Sequence, residues 1–255
     1  PSRGLGDVYK RQANYSGVML QGFSWDSYDY SQWTVLEKQA DDMKGFIDLV
    51  WLPQSGKCIE TTQVMGYKPY YYFNQNSSFG TEAELRSLIA KFKANGIGAI
   101  ADVVVNHRNT NGWYTFPAET YKGVTYKMLS TDICKNDDGG STATQAKKDG
   151  VSLSNNDDEG TDFGGCRDID HKSENVQKII KAYLKFLKED IGYTGFRYDM
   201  VKGFSGTHVA DYNDATGVEF SVGEYWDGNQ SIINWINKTN KKSAAFDLSL
   251  IHISE

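Results

Sequence analysis

Short apolar runs with strand character alternate with amphipathic segments of helical period along most of the chain, and few folds accommodate that order. Runs at 17–22 (GVMLQG), 47–52 (IDLVWL), 97–105 (IGAIADVVV), 194–199, 218–224 and 244–248 read as strands one to six. Between them, residues 31–44 place Trp33, Leu36, Ala40 and Met43 on one helical face. Residues 81–95 form a second helix, opened by a Thr81/Glu84 capping box and stopped by Gly96. A third helix is expected over 173–190. The 97–105 run is almost wholly apolar, as a parallel strand covered on both faces should be. Strands alternating with helices imply a parallel sheet with right-handed crossovers. The expected fold is therefore α/β, a (β/α)8 barrel truncated after about strand six, since a closed barrel takes eight units.

The alternation breaks once. From about Arg108 to Cys166 the chain is rich in Gly, Asn, Asp, Ser and Thr and lacks periodicity, so an irregular lobe is expected as an insertion after strand three. The organisation read from sequence is a barrel part at 13–107, an inserted domain at 108–166 and a second, incomplete barrel part at 167–249. The ends, PSRGLGDVYKRQ at 1–12 and LIHISE at 250–255, resemble adapter read-through and are expected to be non-native flanks.

Composition narrows the function classes. A formal net charge of -6, with no basic stripe or tail, excludes a nucleic-acid partner. No apolar run is long enough to span a membrane. The three cysteines, Cys58, Cys134 and Cys166, have no CxxC spacing and give no zinc site, and pairing of Cys134 with Cys166 stays open. The chain holds 16 Tyr and 6 Trp; these rings serve either core packing or a sugar-binding cleft, and composition alone favours packing.

Chemistry concentrates where the later strands end, the rim at which barrel enzymes carry their sites. Strand three runs into Asp102, Asn106 and His107, strand four into Arg197, Asp199 and Lys202, and strand five into Glu224. Asp199 and Glu224 are 25 residues apart, one crossover, which puts two carboxylates on adjacent strands at one rim. Retaining glycoside hydrolysis needs such a pair about 5 to 5.5 Å apart, one acid attacking the anomeric carbon and the other protonating the leaving oxygen. Arg197 precedes Asp199 by two residues, so both face one way on a strand, and the guanidinium is expected to keep Asp199 ionised. Any one of these acids alone is better explained as a solvated or salt-bridged strand-end residue; the ordered set reverses that judgement.

The segments DVVVNH (102–107), GFRYDMVKG (195–203) and VGEYWD (222–227) resemble, in order and spacing, the first three signature regions of the α-amylase family. GVMLQGFSWDSY, VWLPQSG and GYKPYYYFNQNSSFGT resemble its early barrel segments, and FGGCRDIDHKSENVQ resembles the end of its small inserted calcium-binding domain. The likeness covers about 17–248 and is nearest the plant-like and related bacterial branch. It implies endo-hydrolysis of α-1,4 bonds in starch-like glucans with retention, Asp199 as nucleophile and Glu224 as general acid/base. It implies that Arg197 orients the nucleophile, His107 and Tyr67 contact the sugar at the cleavage point, Lys202 contacts a sugar on the leaving-group side, and Asp102 is a structural acid. It implies a Ca2+ ion held by Asn106, Asp168 and the Gly203 carbonyl, with Asp162 there or at a neighbouring ion and Asp137 or Asp138 at a further one. The expected partner is an α-glucan, the expected state a monomer, and the expected location secreted or periplasmic. The family's fourth signature, with a third acid and a histidine after strand seven, has no counterpart, so the truncated chain by itself is expected to be inactive. Rival readings are an inactive glucan-binding relative, another α-glucan hydrolase or transglycosylase of the same superfamily, and an unrelated barrel metalloenzyme.

Overall fold

The computed structural model describes residues 15–246. The flanks at 1–12 and 250–255, and the end of the expected sixth strand, lie outside the described residues. Strands β1 (Met19–Gln21), β2 (Leu49–Leu52) and β3 (Gly98–Val103) are joined through helices α1 (Trp33–Met43) and α2 (Glu82–Ala94). A long excursion follows β3. It begins with β4 (His107–Arg108), passes a hairpin of β5 (Glu119–Tyr121) and β6 (Val124–Tyr126), then helix α3 (Ser141–Asp149), and closes at β7 (Arg167–Asp168). The strand–helix rhythm resumes with α4 (Glu174–Lys185), β8 (Gly195–Tyr198), α5 (Gly206–Thr216), β9 (Phe220–Gly223), α6 (Asn229–Lys238) and β10 (Ala244–Ala245).

Six strands form one parallel sheet in the order β1-β2-β3-β8-β9-β10, which is chain order once the excursion is set aside. This is the curled, sequential sheet of a (β/α)8 barrel with six strands present among the described residues. The inner strands explain the apolar runs. Every residue of β2 and β8 is buried, and so is β3 from Ala99 onward. The helices cover the sheet with the faces their sequences present: Trp33, Leu36 and Ala40 on α1, and Leu85, Leu88, Ile89 and Phe92 on α2. Both halves of the Thr81/Glu84 capping box form: the Thr81 hydroxyl accepts from the Glu84 N–H, and the Glu84 carboxylate accepts from the Thr81 N–H. The third helix differs from its expected single span. Its α-helical part ends at Lys185 and one π-helical turn, Phe186–Ile191, follows before Gly192 reverses the chain at φ 103°. That wider turn keeps Phe186, Leu187 and Ile191 buried.

The excursion is more ordered than its composition suggests. The two-residue β4–β7 ladder pairs His107 with Asp168 and Arg108 with Arg167, so its first and last residues meet at the sheet's rim. The hairpin turns at Lys122 and Gly123, both at positive φ. Helix α3 buries only Thr142 and Ala146, too little apolar surface to leave a periodic signal in the sequence.

Candidate active site

Arg197 organises the rim. It sits on β8 opposite Asp102 of β3, and its side chain points the same way as that of Asp199 just past the strand end. Its Nη1 donates to Asp102 Oδ1 and to Asp199 Oδ1, both at 2.7 Å, and its Nη2 lies 2.9 Å from Glu224 Oε2. Glu224 stands at the end of β9, where its N–H donates to the Tyr198 carbonyl at 2.9 Å. The two carboxylates expected on adjacent strands are thus brought to one guanidinium. Asp102, 2% exposed, also accepts from the Trp51 indole at 3.2 Å and the Tyr67 hydroxyl at 3.1 Å.

One cation faces three carboxylates here, and they do not share it equally. Burial, then the Asp102 charge, pushes the Asp199 carboxyl well above the usual carboxylate range against the pull of Arg197, with Glu224 adding to the rise. Burial would also raise Glu224, but Arg197, the Met200 N–H at 2.9 Å, the Trp226 indole and Asp199 together hold it below its ordinary value. In the sugar-free site the two carboxyls are thus pushed in opposite directions, Asp199 up and Glu224 down. Arg197 meets Asp199 as expected and pulls its carboxyl down, with burial and Asp102 acting against it. Its guanidinium is divided among three acids, while Glu224 collects two further donors.

A cleft of about 650 Å³ opens over this pair. Tyr67 and Lys202 line it, and so, among residues that sequence reasoning did not single out, do Trp25, Thr161, Phe163 and Trp226. Trp25 is 71% exposed and lies parallel to Tyr67, ring centroids 6.0 Å apart. An exposed tryptophan in GFSWDSY was the available signal. The Lys202 ammonium reaches Asp227 and the Trp226 carbonyl, each at 3.2 Å. His107, for which a sugar contact is expected, packs against the cleft residues Tyr67 and Phe163. It is fully buried, its Nε2 bonds the Tyr67 carbonyl at 2.8 Å, and the Phe163 ring covers its face at 3.6 Å. Burial lowers its pKa to about 4, so the ring is neutral, with Nε2 as the donor to that carbonyl.

Beside the cleft lies an acidic cluster. Asp137, Asp162 and Asp168 each offer an oxygen within 4.8 Å of one another. The sequence reading grouped Asp162 with Asp168 but set Asp137 apart; the fold brings all three together. Asn106 points its Nδ2 at Asp168 Oδ1 at 3.2 Å and leaves its buried Oδ1 without a partner. A Cβ on Gly203 would fall 1.9 Å from that oxygen, so only glycine admits it. Burial first, then Asp162, pushes Asp168 up to about 9. An all-oxygen set with an orphaned amide carbonyl and crowded carboxylates fits a hard metal ion. The cluster is thus able to hold one, with Asn106, Asp137, Asp162 and Asp168 as side-chain donors.

Comparison with known proteins agrees with this geometry. The family described as alpha amylase, catalytic domain, matches residues 47–247. Alpha-amylase 3, chloroplastic, of Arabidopsis thaliana is 32% identical over 91% of the chain and 26% of its own length. Probable alpha-amylase 2 of the same plant is 30% identical over 91% of the chain and 56% of its own length. The chain therefore spans about a quarter and about half of these relatives. An alpha-amylase structure from Malbranchea cinnamomea superposes with a TM-score of 0.58 at 20% identity, covering 88% of this chain and 48% of that one, which speaks for the fold. One relative is chloroplastic by name, so kinship does not fix a secreted or periplasmic location. No helix among the described residues is long and apolar enough to cross a membrane. The family match, the sequential parallel sheet and the paired rim carboxylates converge, and the chain belongs to the α-amylase family.

Proposed function

We propose that the protein containing this chain hydrolyses internal α-1,4 bonds of starch-like glucans with retention, by double displacement. The observation that carries this reading is the meeting of Asp199 and Glu224, from adjacent strand ends, on the one guanidinium of Arg197. In the first step an Asp199 oxygen attacks the anomeric carbon while Glu224 gives its proton to the glycosidic oxygen, and the leaving chain departs. In the second, Glu224 takes a proton from water, the water oxygen attacks the same carbon, and Asp199 is released. For this chemistry Glu224 carries the proton and Asp199 is ionised when the sugar is bound. Arg197 then holds the nucleophile's carboxylate, Tyr67 offers a ring to the sugar at the cleavage point, and Lys202 meets the leaving-group side.

The metal is proposed to be Ca2+, bound by Asn106, Asp168, Asp162 and the Gly203 carbonyl with Asp137 beside them. When bound it supplies charge neutralisation to the carboxylates and clamps the excursion to the sheet. Residues 108–166 are proposed as the inserted domain, flanked by barrel parts at 13–107 and 167–249, in a monomeric, secreted or periplasmic protein with an α-glucan as its partner.

The test is the anomer first released from soluble starch by the full-length protein, followed by proton NMR beside an Asp199→Asn control. The α-anomer is expected, and only without the substitution; initial β-anomer rules the mechanism out.

A further inference from the structure

A second groove, of about 540 Å³, lies between the β5–β6 hairpin and helix α4 and shares no lining residue with the catalytic cleft. Two tyrosines of the hairpin, Tyr121 and Tyr126, form one wall. Both rings stack on Phe73, at centroid distances of 5.0 and 5.3 Å, and Tyr121 also meets Phe186 edge-on at 5.3 Å, so the wall is fixed from behind. The π-turn after α4 takes part in this: its Asp190 accepts from the Tyr121 hydroxyl and pairs with Lys122 at 3.2 Å. Turns of this register are rare and recur at functional sites.

The opposite wall is helical and basic. Lys178, Lys181 and Lys185 share one face of α4 at three- and four-residue spacing, around the small side chain of Ala182. Lys122 is answered by Asp190, but none of the other three lysines is ion-paired among the described residues. The two glutamates of the groove, Glu174 and Glu189, flank this stretch, and every charged residue between them is a lysine. On a chain of net charge -6 that face stands apart, and it sets a local positive field beside two rigid rings.

We infer that this groove binds a segment of α-glucan that carries a phosphate monoester, with sugar rings on Tyr121 and Tyr126 and the phosphate on Lys178, Lys181 and Lys185. A pyranose lays its apolar face on an aromatic ring, and ammonium groups meet a phosphate as point charges. A neutral glucan would leave the lysines unanswered, and a bare anion would leave the rings uncovered. The groove thus holds one chemical form of the polymer to the protein outside the cleft. This rests on the glucan-hydrolase reading above.

The experiment uses the full-length protein carrying Asp199→Asn, so that polymer is bound without being cut. Affinity is measured at low ionic strength for amylopectin bearing phosphate monoesters and for the same amylopectin after phosphatase treatment. The phosphorylated form should bind about tenfold more tightly, the order of three exposed charge contacts, and Lys178→Ala/Lys181→Ala/Lys185→Ala should erase that preference. Ala182→Leu, which fills the groove and keeps its charges, should weaken binding of the phosphorylated polymer. Equal affinity for the two polymers, or a preference that survives the triple substitution, overturns the inference. Glucose 6-phosphate at matched phosphate concentration should leave the polymer bound; full displacement would assign the groove to a soluble sugar phosphate instead. Polyglutamate that competes as well as the phosphorylated polymer would show that charge alone is read, and the sugar assignment would fall. Should the substituted proteins fail to fold, NMR of the Asp199→Asn protein decides: phosphorylated maltodextrin must move the Tyr121, Tyr126 and three lysine side-chain signals, and still signals overturn the inference. A full-length protein, with Asp199 intact, that leaves soluble starch uncut, and whose Asp199→Asn form binds neither amylopectin, would overturn the glucan reading and this inference with it. Starch cleavage with equal binding of the two polymers would overturn this inference alone.

Discussion

At the scale of single residues, the proposed chemistry rests on one guanidinium that meets Asp102, Asp199 and Glu224. Asp199→Asn should abolish turnover, because a neutral amide cannot form the glycosyl–enzyme bond. Glu224→Gln should cost roughly 10²- to 10⁴-fold on starch, the usual worth of a general acid, and much less on substrates whose leaving group needs no proton. Rates on starch and on an activated aryl glycoside separate the two roles, and an equal loss on both would remove Glu224 from the acid's place. A second residue-scale prediction concerns His171, away from the cleft. It is buried, bonded to the Tyr212 hydroxyl at 2.7 Å and to the Val105 carbonyl at 3.0 Å, and stacked on Phe204. Burial, with His208 adding, lowers its pKa to about 3. The unfolded chain takes up the proton near pH 6.5 and the folded chain does not. This depressed value therefore contributes stability that is full above about pH 6.5 and is lost as pH falls toward 3. Unfolding free energies between those limits should decline by an amount on the order of 4 kcal/mol, and His171→Gln should flatten that limb. A limb of the same slope in the variant would mean that other groups cause it.

At the scale of elements, the excursion is held by pieces that local patterns do not announce. Glu119, at the start of β5, accepts the backbone N–H groups of Tyr72 and Phe73 at 2.9 and 2.8 Å and pairs with Arg108 at 2.7 Å. Arg108 is 1% exposed, donates to the Tyr70 carbonyl and lies over the Tyr72 ring at 4.1 Å. Glu119→Ala would leave that guanidinium buried without its anion and should cost roughly 3 to 5 kcal/mol in chemical denaturation. Replacing both partners with well-packed apolar residues should cost much less. The same contrast separates what the sequence made legible from what it did not. The Thr81/Glu84 capping box and the apolar faces of α1 and α2 rest on contacts within a few residues, so their signatures survive in the chain itself. Helix α3 carries little apolar surface, and the π-turn of α4 differs from a continued α-helix only in hydrogen-bond register, so neither left a pattern. Site residues divide the same way. Arg197, Asp199 and Glu224 follow from strand ends, which alternation locates. Phe163 covering His107, and Asp137 joining Asp162 and Asp168, come from loops folding back across 56 and 31 residues of chain, which no local signal encodes.

At the scale of the molecule, two bodies of different character are joined near the site. The barrel side is stabilised by a continuous apolar core running from Trp33 through Phe196 to Trp235. The excursion contributes a crowd of acids, and Asp158, raised to about 6 chiefly by burial, adds a further orphaned oxygen beside Asp137 and Asp162. Bringing these carboxylates together opposes folding unless a cation answers them. A metal that binds the folded arrangement and not the unfolded chain adds RT ln(1 + [L]/Kd), about 2.7 kcal/mol at a hundredfold excess over Kd. For a domain of this size each kcal/mol moves the Tm by roughly 2 to 4 °C. The full-length protein should therefore melt several degrees lower in chelator than in millimolar calcium, and returning the ion should restore it. Asp168→Ala removes one ligand together with the acceptor for the Phe163 N–H. It should bring the calcium-loaded Tm down toward the chelated value and abolish the response to calcium. An Asp190→Ala control, altering an acid of the π-turn outside the cluster, should keep the calcium response intact. A Tm that ignores both chelator and Asp168→Ala would mean that the carboxylates are balanced by Arg167 and backbone donors alone, and the calcium assignment would fall.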